Sequence, residues 1–564
     1  MECVWPVITS RLTASQAWVK VVPEGGNGGS GSGSLTEESP ECSALTVVSP
    51  EKQHPLIERL HGRDGAWDEQ NKGAERDRDE DGHMLLIAPT SELELNYPDS
   101  NERFLLRHAL NAVKSWPSFM AITPDPKVGK FSPIELCMPF LDIQHFLSIP
   151  RGSSTATDAV SLSLLSIAAV HLSYLHHVSS VEALLNQDSS GGQISLAETE
   201  RYANMGDALV TGSLALAESF MNIQQIKGLS SISGTGSKID AETGMDMLLA
   251  ACLNNILSRC LAGGNGGREF LNLAGRIIRM RGGPKNMLDA AIKIRGGTRK
   301  SFRRKKALIE SIWSWELCSS ISAGRVPDSY SDTLQSWIFN PEPGPINGME
   351  MDEGEWDILE CIMGLSRSLL ELLSRVNSLY AHSHPLTSIP GKPIQRPVEI
   401  DLFWKIQAWK LLVELDIRAK DISHQFGHKR PQDSDMGRLE LGNIIWIRTT
   451  EMILKMDLLA VHPSDPETLF RARDIIDLVN YCHSKKFVML LLLWPIIVAG
   501  SVFQETKDRD QALTALRSLR SVCCFDLDSG FAIIHQVWDA RDNGNEWASW
   551  RDVAIGSGDG FIIG

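Results

Sequence analysis

DAVSLSLLSIAAVHLSYLHH, Asp158 to His177, decides the fold class of this chain. Leu162, Leu165, Ala169 and Leu172 recur at steps of three and four, the period of a helix, whereas a strand would alternate every second residue. Small Ala and Ser fill much of the remainder, so the segment reads as a helix buried on most of its sides. A helix of that kind needs other helices around it.

The flanking sequence supplies them. Ser195 with Glu198 has the form of a capping box and predicts a helix start, running on through Tyr202, Met205, Leu209, Leu216 and Phe220. Asp240 is placed to cap a helix through Met247, Leu248, Cys252 and Ile256, ended by Gly263 and Gly264. Leu359, Ile362, Met363, Leu369, Leu370, Leu373, Val376 and Tyr380 form one further stripe, and Leu402, Ile406, Trp409 and Val413 another. Both stripes require a partner surface. Ser464 with Glu467, and Pro466 in the first turn, opens a helix through Leu469, Ile475, Ile476 and Val479. Helices are also expected from Phe487, over Asp510 to Cys523 and over Phe531 to Trp538.

Alternating runs are nearly absent after residue 100, so the class is all-α: one large domain of packed antiparallel helices over residues 96–564, without a fixed-period repeat. Residues 1–95 read differently. PEGGNGGSGSGS, Pro23 to Ser34, has the composition of a flexible linker, and Gly62 to His83 is dense in charge and poor in apolar residues. A disordered tail is expected there.

With 564 residues, 43% of them hydrophobic, the chain can bury a large core. A net charge of -15 argues against broad adhesion to nucleic acid or to anionic membranes. The ten cysteines contain no C-x-x-C pair, which disfavours structural zinc and fits free, buried thiols in a reducing compartment. The N-terminus lacks a basic start followed by an apolar stretch, so no secretory signal is expected. FVMLLLLWPIIVAGSVF, Phe487 to Phe503, carries Pro495 and Gly500 and sits at the short edge of what spans a bilayer. It reads as a buried helix, and no membrane contact is expected.

Catalytic and cofactor signatures are lacking. The glycine-rich stretches Gly263 to Gly267 and Ser233 to Lys238 lack the strand, lysine and hydroxyl order of a phosphate cradle and read as loops. There is no H-E-x-x-H and no G-x-S-x-G elbow. His171, His176 and His177, and the pair His382 and His384, read as satisfied or solvated side chains, since the five-residue step from His171 to His176 serves shared ligation poorly. No catalytic, metal-ligating or cofactor-binding residue is assigned, and no cofactor is expected.

One charge feature stands against the acidic background. From Arg259 to Lys306, fourteen Lys and Arg face only Glu269 and Asp289, a local balance of +12. At its end lies RKSFRRKK, in which Arg299, Lys300, Arg303, Arg304, Lys305 and Lys306 form a candidate nuclear-import or phosphate-contact patch. The bland alternative is a solvated helix start paired with the acidic tail around Asp77 to Asp81.

The order of local phrases resembles the fungal-specific transcription factor family, the regulatory region that follows binuclear zinc clusters. It starts with RHALNAVKSWPSF, Arg107 to Phe119, and AVSLSLLSIAAVHLSYL, Ala159 to Leu175, then continues with LLAACLNNILSRC, Leu248 to Cys260, and FLNLAGRIIRMRGGP, Phe270 to Pro284. LLLWPIIVAGSVF, Leu491 to Phe503, IIHQVWDARD, Ile533 to Asp542, and WASWRDV, Trp547 to Val553, complete it. The resemblance implies a nuclear, all-α region that dimerises, restrains or recruits transcriptional machinery. Such factors usually begin with six cysteines holding two zinc ions, whereas only Cys3 and Cys42 precede the helical part here. DNA contact is therefore expected through a zinc cluster missing from this sequence or through a zinc-cluster partner.

The expected function is transcriptional regulation by RNA polymerase II through a helical dimerisation and regulatory domain, not enzymatic catalysis. The partners are transcriptional machinery, zinc-cluster transcription factors or a second copy. A helical enzyme or small-molecule binder with a pocket between helices is the alternative.

Overall fold

The protein is described here from a computed structural model. It describes residues 96–97, 99–115, 151–185, 189–229, 241–263, 267–293, 299–325, 360, 364–383, 398–425, 437–484, 492–519 and 524–556. The expected tail falls outside them. The described residues all lie in one compact unit, 72–564, and comprise fifteen α-helices and one π-helical turn, with no strand among them.

Helix α1 (Ser100–Ser115) packs against α2 (Thr155–Leu185), and α2 pairs along its length with α3 (Ser189–Leu229). The pairing is antiparallel: Ser173 Oγ donates to Thr199 O (2.8 Å), Ser195 Oγ to His176 O (2.6 Å) and Ser213 Oγ to Ala159 O (2.8 Å). As the position rises on one helix it falls on the other. Serine hydroxyls can reach a facing backbone only where the helices approach closely. Gly206 and Gly212 permit this, since a Cβ on either would come within 3.0 Å of Val170 Cγ2 or 3.2 Å of Leu162 Cδ1. The expected capping box is corrected here: Ser195 lies inside α3, six residues past its start, and bonds across to α2 instead.

By length and composition α2 could cross a membrane, yet 78% of its most apolar stretch is buried in the fold. Against both helices lies α4 (Ala241–Leu261), with Asn254 Nδ2 donating to Ser163 Oγ of α2 (3.1 Å) and Asn255 Nδ2 to Ser213 Oγ of α3 (2.9 Å). Asp240 lies outside the described residues, but Gly263, with φ +110, ends the helix as the sequence predicts. Next come α5 (Arg268–Met280), a positive-φ turn at Gly282 and Gly283, and α6 (Gly283–Lys293). Then α7 (Arg299–Ala323) runs through the interior, carrying Trp313, which is fully buried.

The stripe from Leu359 to Tyr380 is not one helix. Gly364 takes φ +67 and α8 spans Arg367–Ser383, so a turn divides the stripe, and Leu359, Ile362 and Met363 lie outside the described residues. There follow α9 (Val398–Gln425) and α10 (Arg438–Ile453), which runs directly into the π-helical turn Leu454–Leu458. α11 (Pro466–Ser484) starts where expected, but its cap is Asp465: Oδ2 accepts from the backbone N–H of Glu467 and Thr468, both at 3.1 Å, while Ser464 pairs with His462.

The expected helix start at Phe487 lies outside the described residues; the later part of that apolar run forms α12 (Leu493–Ser501), all nine residues buried, with Pro495 in the first turn where its missing N–H costs nothing. Around it stand α13 (Thr506–Ser518), four residues earlier than the expected start at Asp510, α14 (Asp526–Asp542) and the short α15 (Trp550–Gly556). A continuous buried cluster extends from Tyr97 in the N-terminal part to Ala554 in α15. The described residues are helices packed on helices, as expected for the all-α class.

Candidate docking surface

Helix α9 carries apolar side chains on two opposite faces. At 100° per residue, Ala408, Leu411, Leu412 and Leu415 fall on one side, and all four are buried against α8, α10 and the π-helical turn. Leu402, Ile406, Trp409 and Val413 fall on the other. They are 55%, 45%, 57% and 57% exposed, and Ile417 beside them and Phe403 on the flank are similarly open. The stripe that the sequence shows as needing a partner has none within the described residues.

Charges frame this face. Asp401 pairs with Lys405 (2.8 Å) and Asp416 with Lys420, each one turn apart on α9, and Glu414 reaches Arg375 of α8 (2.9 Å). Such exposed pairs contribute little stability.

The basic cluster is divided by the fold. Lys305 Nζ lies 2.8 Å from Glu242 Oε1 and 3.1 Å from Asp246 Oδ2, on two carboxylates that Arg281 also engages. Lys306 is buried 3.9 Å from Glu310, whose carboxylate also binds Arg367. Both lysines are therefore structural ties of α7. Arg299, Lys300, Arg303 and Arg304 occupy the first two turns of α7, and their side chains lie outside the described residues.

The histidines are partnered. His108 Nε2 and His171 Nδ1 are 2.9 Å apart with stacked rings, and burial, with His108 adding to it, pushes His171 down to about 4, so both imidazoles are neutral near pH 7. His176 stacks on Tyr202, and His382 bonds Ser378 O, while His384 lies outside the described residues. No group of three metal-ligating side chains occurs among the described residues.

Cys252, Cys260, Cys318, Cys482 and Cys524 are buried and form no disulfide, and burial raises the thiols of Cys252 and Cys318 to about 12. Thiols so far from ionisation are poor nucleophiles. The other five cysteines lie outside the described residues.

A cavity of about 40 Å³ lies between Asp457, Ser501, Arg541, Trp547 and Trp550. That is room for about one water molecule, far below the several hundred Å³ of a metabolite site. Arg541 beside it is fully engaged, donating from Nε and one terminal nitrogen to Ala548 O (3.0 and 2.7 Å) and from the other to Ser501 O (2.5 Å).

The model of the fungal-specific transcription factor domain matches residues 130–563, well over half of the chain. This chain belongs to the fungal-specific transcription factor family. No curated protein and no solved structure matches it. Within this fungal transcription factor domain the Arg-Gly-Gly turn after α5 has a structural role. Arg281 folds back onto Glu242 and Asp246 of α4, and the positive φ of Gly282 and Gly283 lets the chain reverse into α6. The open α9 face was legible as a stripe in the sequence, but its exposure was not: burial depends on which helices the fold brings alongside.

Proposed function

We propose that this chain regulates transcription by RNA polymerase II in the nucleus, and that its helical domain acts by docking, with the outer face of α9 as the contact. The observation that carries this reading is the apolar stripe Leu402, Ile406, Trp409 and Val413, open on a helix whose other face is already packed. Contiguous apolar surface centred on an exposed tryptophan is a usual mark of a protein contact. Family membership supports the regulatory role. The net charge of -15 favours DNA contact through a zinc-cluster partner over broad contact by this chain. Import falls to Arg299, Lys300, Arg303 and Arg304, because Lys305 and Lys306 are held in buried ion pairs.

The test is a reporter assay in which the full chain is fused to a heterologous DNA-binding domain. Expression should change with the fusion, and Trp409→Glu should reduce the change without altering protein level. An unresponsive reporter, together with cytoplasmic fluorescence of the tagged chain, would refute the reading.

A further inference from the structure

We propose that the chain's own acidic segment, residues 75–81, docks on the basic end of the helical domain, where α5 closes, α6 opens and α7 begins, and shields that end from other anions. The segment precedes the family match, which starts at residue 130, so the contact is not part of the shared domain. It goes beyond the docking reading of α9 and does not depend on it.

Helix α5 buries its apolar side, which turns Arg276 and Arg279 to the opposite face, one turn apart and about 4.5 Å along the axis. Past the Gly282–Gly283 turn, Lys285 is exposed in the first turn of α6. These three cations pair with no carboxylate among the described residues, Asp289 one turn along α6 included. Other carboxylates at this end are engaged: Glu242 and Asp246 hold Arg281 and Lys305, and Glu102 and Asp158 hold Arg151. Lys305 shares its carboxylates with Arg281, so the start of α7, with Arg299, Lys300, Arg303 and Arg304, is at the same end.

The chain enters the described fold at that end too. Tyr97 Oη is 3.3 Å from Ser161 Oγ, near the start of α2. One turn earlier on α2, Thr157 Oγ1 donates to Met247 Sδ at 3.7 Å, and Asn254 meets Ser163. Position therefore rises together on α2 and α4, and the two helices start side by side. Asp246, next to Met247, binds Arg281 at the close of α5. From Tyr97 to Arg281 is two helix-to-helix steps, about 20 Å. The fifteen residues from Asp81 to Asn96 can span up to about 50 Å, so reach is not limiting.

Charge selects the occupant. Residues 75–81 carry Glu75, Asp77, Asp79, Glu80 and Asp81 against Arg76 and Arg78, five minus two, or a balance of -3. Guanidinium forks bind carboxylates as they bind phosphates. A nucleic acid arriving from solution meets a chain of net charge -15, which repels it on average. A segment tethered within reach acts at an effective concentration of about a millimolar, which favours it over a free anion.

Two measurements on the full chain test the contact. Carbodiimide, which couples a carboxylate to a lysine amine, should join Lys285 to residues 75–81, with the yield falling in about 0.5 M NaCl. When isotope-labelled and unlabelled chains are mixed, the joined peptides should carry one label only. The second measurement is affinity for fluorescent heparin, the probe anion. Neutralising the segment with Glu75→Gln, Asp77→Asn, Asp79→Asn, Glu80→Gln and Asp81→Asn should raise that affinity about threefold or more. Adding Arg279→Ser and Lys285→Ser should abolish the gain. A control changes net charge equally, with Glu24, Glu37, Glu38, Glu41 and Glu51 each replaced by Gln, and should leave the affinity unchanged.

No product at Lys285, or products that mix the labels, would overturn the proposal. So would an equal gain in the control, which would assign the effect to net charge alone. An unmutated chain that binds heparin as tightly as the neutralised one would mark the basic end as open to polyanions, and would overturn it as well.

Discussion

Arg551 of α15 donates from Nε and one terminal nitrogen to the same oxygen of Asp457, Oδ2, at 2.9 and 2.8 Å, with both side chains almost fully buried. Its other terminal nitrogen reaches Ile321 O of α7, and the guanidinium lies 3.9 Å over the Tyr380 ring. One side chain thus ties α15, the π-helical turn, α7 and α8 together. Burial still raises the Asp457 carboxyl, more than Arg551 lowers it, so the pair is a conditional asset.

Arg551→Ala would leave that carboxylate buried without its partner, and such losses cost about 3 to 5 kcal/mol. The urea midpoint should fall accordingly. Adding Asp457→Asn should recover part of the loss, so the two substitutions combine less than additively. Additive losses would show that the pair is uncoupled.

Gly500 predicts a packing cost. A Cβ there would lie 3.1 Å from Ala512 Cβ and 3.1 Å from Ile534 Cδ1, and Gly500 O accepts from Trp538 Nε1 at 2.9 Å. In an exposed helix, replacing glycine would gain a few tenths of a kcal/mol of helix propensity. Overpacking of a closed site costs about 1 to 3 kcal/mol and outweighs it. Gly500→Val should lower the thermal midpoint, whereas an unchanged or raised midpoint would mean that α12 can move away from α13 and α14.

Asp526 predicts a pH dependence. It is fully buried at the start of α14 near Cys260 and Cys524, and burial pushes its carboxyl from the ordinary 3.8 to about 7, against hydrogen bonds from the backbone. The folded chain keeps a proton that the unfolded chain releases above about 4. Stability from this group is fully present below pH 4 and is lost as the pH rises toward 7, by up to about 4 kcal/mol. Asp526→Asn removes that titration. Its unfolding midpoint should match the parent's near pH 5 more closely than at pH 7.5, where the variant should be the more stable. Parallel curves for parent and variant across this range would contradict the assignment.

The two halves of the basic cluster should separate. Replacing Arg299, Lys300, Arg303 and Arg304 with Ala should lower the nuclear fraction of a fluorescent fusion without lowering the thermal midpoint. Lys305→Ala strands Glu242 and Asp246 around Arg281 and should instead lower the midpoint. Unchanged import in the fourfold variant would remove the role assigned to the cluster.

The sequence by itself determined the all-α class, because helical period is a local property: the buried stripe of α2, Pro466 opening α11 and Gly263 closing α4 are set by neighbours within a few residues. It also held the apolar stripe on α9. Tertiary structure alone decided which stripes meet. Ser195 lost its capping role because α3 begins six residues earlier and α2 offers it a carbonyl at 2.6 Å. Lys305 joined the interior because Glu242 and Asp246 of α4 came alongside it, whereas Glu310 beside Lys306 is its own neighbour one turn along α7. Leu402, Ile406, Trp409 and Val413 stayed in solvent because α9 packs its opposite face, and burial is a sum over contacts made far apart in the chain.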